Sequence, residues 1–320
     1  MQQRWSELSE DTQNLIMNSW AAGTKKQYNS HINRWISYCK QKGFDPFCAS
    51  VENGAEFLTY YFKEFKVDYS SVNTARSALS AVIPPFNGVS FGNQPLIKRL
   101  LKGVFKLRPT LPKYTVRYDV GLVFSFIRSL PDAHDMSLEL LSKCTATLLC
   151  LLSGQRSQTL GAFQIDFMYL DQGKCVFYIP TLLKQSRPTF HQEPIEYVRY
   201  PFDQKLCPIM FIDNYIKTTS TIRDKEEKKF FLSYVSPHKG VSSTTLARWV
   251  CDILSKSGVN TVTFTAHSTR SASSSTASKN LSLVQIAKAA GWSNVRTFAK
   301  YYDKPIEENY GSAVLKSCNQ

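Results

Sequence analysis

The stretch from Ser137 to Gly154 limits most strongly how this chain can fold. Leu140, Leu141, Cys144, Leu148, Leu151 and Leu152 recur at helical spacing, Ser137 can cap their first turn, and Gly154 ends the run. The stretch reads as a long, wholly apolar helix, and a helix without a polar face has to be buried. Gln155-Arg156-Ser157-Gln158-Thr159-Leu160 follows at once. A charge beside the end of a buried helix is costly unless an anion meets it, so Arg156 calls for an internal carboxylate or a bound phosphate.

At 320 residues the length suggests about two domains, and 43% hydrophobic content suffices for real cores. Lys and Arg number 39 against 25 Asp and Glu, a formal charge of +14, which is the balance of a polyanion binder. Between Tyr69 and Tyr118 lie Arg76, Lys98, Arg99, Lys102, Lys106, Arg108, Lys113 and Arg117 and no acidic residue, so a phosphate-facing surface is expected there. The eight cysteines show no Cys-x-x-Cys and no paired histidine spacing, and Cys144 and Cys150 sit in apolar runs. They read as reduced core thiols, which argues against a disulfide scaffold and a zinc site. The N-terminus lacks an apolar signal core and no apolar run reaches about eighteen residues. An intracellular protein without a membrane segment is expected.

Residues 1–106 read as helices only. Thr24 can cap a helix carrying Tyr28, Ile32, Trp35, Ile36 and Cys39 that ends at Gly43. A second carries Phe57, Leu58, Tyr61, Phe62 and Phe65, and a third starts near Ser70 or Ser71 and stops at Pro84-Pro85. The fourth opens at Pro95 and repeats Ile97, Leu101 and Phe105, which leaves Lys98, Lys102 and Lys106 on one cationic face. Residues 107–117 hold two prolines and three basic residues and read as an extended basic linker.

A second domain is expected over residues 118–320. Asp119 can cap its first helix, and the buried helix follows. Alternation at Ile165, Phe167 and Tyr169, a turn at Asp171-Gln172-Gly173, and short runs over 174–180 and 195–200 predict a small β region. Lys184 and Arg187 lie in the loop between the last two runs, where Pro188 and Pro194 forbid regular pairing. Further helices are expected over Ile209–Ile216 and after Ser243.

The stretch from Phe264 to Tyr302 sets His267 and Arg270 three apart, so on a helix an imidazole and a guanidinium share a face. Gly291 then ends a run of Leu283, Ile286, Ala287 and Ala290, and Val295, Phe298 and Tyr301 or Tyr302 follow at helical spacing.

Taken in order, Arg156, Lys184, His267-x-x-Arg270, Trp292 and Tyr301 resemble the active site of the tyrosine recombinases, the phage-integrase family. The segments SGQRSQTL, LKQSRP, FTAHSTRSAS and AGWSNVRTFAKYY are most similar to recombinases of DIRS- and Crypton-type mobile elements. The resemblance implies a mainly α fold: a helical, SAM-like core-binding domain and a mixed α+β catalytic domain with a small antiparallel sheet. It implies strand cleavage through a 3′-phosphotyrosyl intermediate without metal or other cofactor. Tyr301 would be the nucleophile, nine residues after Trp292. Arg156 and Arg270 would bind the phosphate oxygens, Lys184 would protonate the leaving 5′ oxygen, and His267 and Trp292 would hydrogen-bond the reacting groups. Lys98, Arg99, Lys102, Lys106, Arg108, Lys113, Arg117 and Arg187 would hold double-stranded DNA. A tail with Ile306 and Ala313-Val314-Leu315 would join protomers into dimers and tetramers, in the nucleus if the host is eukaryotic. One position departs from the pattern: Thr159 stands where family members often carry an acid. A catalytically silent DNA-binding protein and a type IB topoisomerase are the rival expectations.

Overall fold

The computed structural model describes residues 8–110, 116–184 and 186–291. The chain divides into two compact units, Met1–Pro112 and Lys113–Gln320.

In the first unit, α1 (Glu10–Asn18), α2 (Ala22–Lys42), α3 (Val51–Glu64), α4 (Tyr69–Leu79) and α5 (Pro95–Leu107) follow one another. Two caps differ from expectation. Thr24 lies inside α2, whose N-cap is Ala21. Asp68 rather than Ser70 or Ser71 caps α4, accepting from the Ser71 amide, since a carboxylate also complements the positive helix end. Gly43 closes α2 at φ 76°, a left-handed conformation that glycine adopts without penalty. The core gathers on Trp35, which is 0% exposed. Its ring meets Phe57 edge-on at 5.2 Å, and its indole N–H donates to the Pro46 carbonyl at 3.0 Å.

Along α5, Ile97, Leu101 and Val104 are buried, while Lys98, Arg99, Lys102 and Lys106 are exposed. Val104 takes the inward place expected of Phe105, which is 49% exposed. The residues after α5 do not run free. The Tyr69 amide donates to the Arg108 carbonyl at 3.1 Å, and the Ser70 amide to Thr110 Oγ1 at 3.2 Å. Arg108 itself lies 4.2 Å over the Phe62 ring and donates to the carbonyls of Phe62 and Val67. Its guanidinium holds α3 to the end of α5, where a phosphate contact was expected.

The second unit is built on α7 (Leu138–Ser153), with α6 (Val120–Ser129) before it and α8 (Ser157–Leu160) after it. Asp119 and Ser137 cap α6 and α7 as expected. Every residue from Leu141 to Leu151 is buried, yet the helix is not wholly apolar. Lys143 is 6% exposed, bonded to Glu139 at 2.6 Å and to Asp252. Burial alone lowers its pKa, but the bonds to Asp252 and Glu139 outweigh that and bring it up to about 12. A buried ammonium is tolerated because both carboxylates meet it.

β1 (Met168–Leu170), β2 (Lys174–Phe177) and β3 (Ile195–Val198) form one antiparallel sheet in that order. Met168 faces Phe177 and Cys175 faces Tyr197. Ile165–Phe167, expected as the start of a strand, is a turn of 3-10 helix. Phe163 stacks on Phe177 at 4.0 Å, and the Tyr197 hydroxyl donates to the Leu149 carbonyl at 3.0 Å, which ties the sheet to α7. α9 (Pro208–Ser220), α10 (Ser243–Lys256), α11 (Ser268–Ala277) and α12 (Leu283–Ala289) complete the described unit. Ser242, one residue before the expected cap, caps α10. Arg117 is 6% exposed and donates to Thr276 Oγ1 of α11 at 3.0 Å. It packs inside this unit, where an exposed phosphate contact was expected. No described helix is long and apolar enough to cross a membrane.

Replacing Trp35 by alanine removes a buried ring and orphans the Pro46 carbonyl. The expected loss is about 3–5 kcal/mol, read from the urea unfolding midpoint followed by circular dichroism.

Candidate active site

Gly154 ends α7 at φ 60°, and this left-handed turn aims its carbonyl at α11, where it accepts from Arg270 Nη1 at 2.9 Å. The Ser273 hydroxyl donates to the Leu151 carbonyl, so α11 meets two of the carbonyls that α7 leaves unpaired at its end. Arg270 is 1% exposed. His267 stands at the N-terminus of the same helix, one turn before Arg270, as the spacing of three predicts.

Arg156 follows directly, in extended conformation, as the N-cap residue of α8. It is half-buried and makes no ion pair among the described residues. Arg156, His267 and Arg270 line one cleft of about 410 Å³, together with Gln155 and Ser157 and with Arg248 and Cys251 of α10. Part of His267 is open to solvent at the cleft mouth. Its pKa is nonetheless lowered, first by desolvation and then by the charges of Arg156, Arg270 and Lys184. The ring is therefore neutral at pH 7 and keeps one nitrogen as an acceptor.

Lys184 is exposed and lies outside the cleft lining, yet close enough for its charge to act on the imidazole. Neither Lys174 nor Arg187 contributes to that shift. Arg187 is exposed at the loop tip, its guanidinium 5.9 Å from the Phe190 ring. The far end of this loop is fastened to α12: Glu193 pairs with Lys288 at 3.6 Å. A Cβ on Gly291 would collide with the Gln192 amide, and φ there is +65°. Trp292, Tyr301 and Lys113 lie outside the described residues.

Thr159 is buried, at 3% exposure. Its hydroxyl donates to Gln155 Oε1 at 3.2 Å, and the Gln155 amide donates to the Ala289 carbonyl at 2.8 Å. Neither Gln155 nor Arg248 had been expected at the site. Gln155 carried a weak signal, a polar residue between the end of a buried helix and Arg156. Arg248 carried none, since in sequence it resembles any solvated arginine of an amphipathic helix. Among the described residues Asp132, His134 and Asp135 form a group of metal-ligating type. All three are exposed and none lines the cleft.

The His267 titration, followed by its ring-proton NMR signals, is expected to have its midpoint below the ordinary value of 6.5. Replacing Arg156 by glutamine removes a cation and should move that midpoint up. Because the folded-state pKa is lowered, the neutral ring contributes its full stability above pH 6.5, and that stability is lost as pH falls through the folded pKa.

No known protein-family model matches the chain, and no curated protein matches it. Solved structures do. A lambda integrase (75–356) dimer bound to a COC′ core site is 18% identical, with TM-score 0.54 over 93% of this chain and 95% of that chain. XerH site-specific recombinase bound to palindromic difH substrate is 14% identical, with TM-score 0.55 over 85% of this chain and 72% of that chain. The Tn1549 transposon integrase (residues 82–397, Y379F) in complex with transposon right end DNA is 14% identical, with TM-score 0.53 over 85% of each chain. At these identities the likeness is one of fold: a mainly helical chain with a small three-stranded antiparallel sheet, the fold of the tyrosine recombinases.

Proposed function

We propose that this chain is a site-specific DNA recombinase that cleaves and rejoins strands through a covalent 3′-phosphotyrosyl intermediate, in the integration or excision of a mobile element of DIRS or Crypton type. The observation that carries the reading is the meeting of Arg156, His267 and Arg270 in one cleft, with the charge of Lys184 reaching the imidazole. Three cations around one neutral histidine make an anion site, and a phosphodiester is the anion that a chain of +14 formal charge is suited to meet.

As a fifth oxygen approaches phosphorus, negative charge gathers on the non-bridging oxygens. Arg156 and Arg270 bind those oxygens, and their guanidiniums match the geometry of two acceptors each. Tyr301 is the nucleophile. A phenol has an ordinary pKa of about 10, and neighbouring cations favour the phenolate. Its oxygen bonds to phosphorus as the bond from phosphorus to the 5′ oxygen breaks. The phenolic proton passes to His267 or to solvent, and Lys184 protonates the departing 5′ oxygen. Attack by a 5′-hydroxyl reverses every step and releases Tyr301, so one ester bond replaces another and no energy source is consumed. The Trp292 indole donates its N–H to the phosphate.

The exposed row Lys98, Lys102 and Lys106, with Arg99, supports backbone contact by the first unit. Arg187 and Lys113 extend that contact, while Arg108 and Arg117 serve packing instead. Lambda integrase is seen as a dimer on a core site and as a tetramer on a Holliday junction. By the same logic this chain works in pairs of dimers on duplex DNA, joined through its C-terminal tail.

A nicked suicide substrate traps the covalent adduct. Tyr301→Phe should abolish it and Tyr302→Phe should not; the opposite pattern reassigns the nucleophile. Binding to duplex without adduct on any substrate marks a silent DNA-binding protein, and relaxation of arbitrary supercoiled plasmid without recombinants marks a topoisomerase. Duplex affinity should also fall steeply between 50 and 200 mM salt, by roughly three orders of magnitude or more if six or more phosphates are neutralised.

A further inference from the structure

The residue next to Arg156 makes a contact that the chemistry above leaves unused. Gln155 is 1% exposed, and both ends of its amide are engaged. The NH2 group donates to the Ala289 carbonyl at 2.8 Å, and Oε1 accepts from Thr159 Oγ1 at 3.2 Å. The acceptor belongs to the last turn of α12, a helix of seven residues. Such a short helix cannot hold its own end by propagation, and its terminal carbonyls have no partner within it. A side chain from a distant segment supplies the missing donor.

The Ala289 carbonyl gives this amide a direction, and Thr159 braces its other end. A buried carboxamide can sit either way round with nearly the same shape. The Ala289 carbonyl can only accept, so the NH2 group must face it, and the oxygen is left to accept from the Thr159 hydroxyl. Turned round, two oxygens would oppose each other in a buried site. The three consecutive residues 154–156 therefore act on three partners: Gly154 holds Arg270, Gln155 holds α12, and Arg156 faces the cleft. Two residues beyond Ala289 the chain reaches Gly291, and then the segment that carries Trp292 and Tyr301.

We infer that Gln155, braced by Thr159, is a positioning residue that locks the end of α12 to the Arg156 turn, a contact on which the rate of adduct formation depends. The inference rests on the recombinase reading. It gives the residue standing in place of an acid, Thr159, a task of its own.

The test is single-turnover cleavage of a nicked suicide duplex by the full chain, with duplex affinity and thermal midpoint measured in parallel. Gln155→Leu keeps the volume and removes the donor; Thr159→Val keeps the shape and removes the hydroxyl. Each should leave duplex affinity unchanged and slow adduct formation roughly 10- to 100-fold, the scale of a small misplacement of reacting atoms. The double variant should be no slower than Gln155→Leu, because both changes break one chain of contacts. Unchanged adduct rates at equal folded fraction overturn the inference, and so do losses that multiply in the double variant. Thr159→Val is the mild variant, so a Gln155→Leu chain that fails to fold still leaves the first outcome readable. A wild-type chain that forms no adduct overturns the recombinase reading and this inference with it, which separates the two failures.

Discussion

Arg270 is a full charge held at 1% exposure, and one of the groups that meet it is a backbone oxygen. The Gly154 carbonyl reaches it only because α7 stops in a left-handed turn at that residue. The C-terminal end of a helix also carries partial negative charge, so several unpaired carbonyls contribute to the setting in which the guanidinium sits. This bond joins the most buried helix of the second unit to the helix that bears His267.

The same arrangement governs the histidine. Desolvation disfavours the imidazolium most, and the charges of Arg156, Arg270 and Lys184 add to it. A site crowded with positive charge thus keeps one neutral acceptor. The field that repels a proton from His267 is one that would attract a phosphate, so an anion and a proton respond to these cations in opposite directions. A bound phosphodiester would offset part of that field and move the histidine back towards its ordinary titration.

Much of this was legible in the residues. The period of the leucines, with Ser137 before them and Gly154 after, specified α7 because cap and pattern agree. The pairing of His267 with Arg270 was legible because three residues make nearly one helical turn. The partner of Arg270 was not, since a carbonyl has no side-chain signature. Lys143 was hidden inside an apolar run, and its second partner, Asp252, lies on α10, far along the chain. Arg108 and Arg117 were misread for a related reason: in an acid-free stretch, an arginine that ties backbone carbonyls or packs on a helix looks the same as one that faces solvent. Thr24 and Ser70 offered plausible caps, and Asp68 prevailed at α4 with a stronger acceptor. Ile165–Phe167 alternates like a strand, yet the Ile165 amide bonds to the Lys228 carbonyl at 2.9 Å and the segment curls into a turn before β1 begins.

The left-handed turn at Gly154 has a bearing on how this part of the chain can vary over time. Its carbonyl points at Arg270 by virtue of the number of residues between Ser137 and the turn. Inserting or deleting one residue within α7 would swing that oxygen about 100° around the helix axis. Side chains on the surface of the unit are free to drift, whereas the length of its central helix is fixed by one oxygen's bearing, and indels there should be the rarest kind of change among descendants of this sequence.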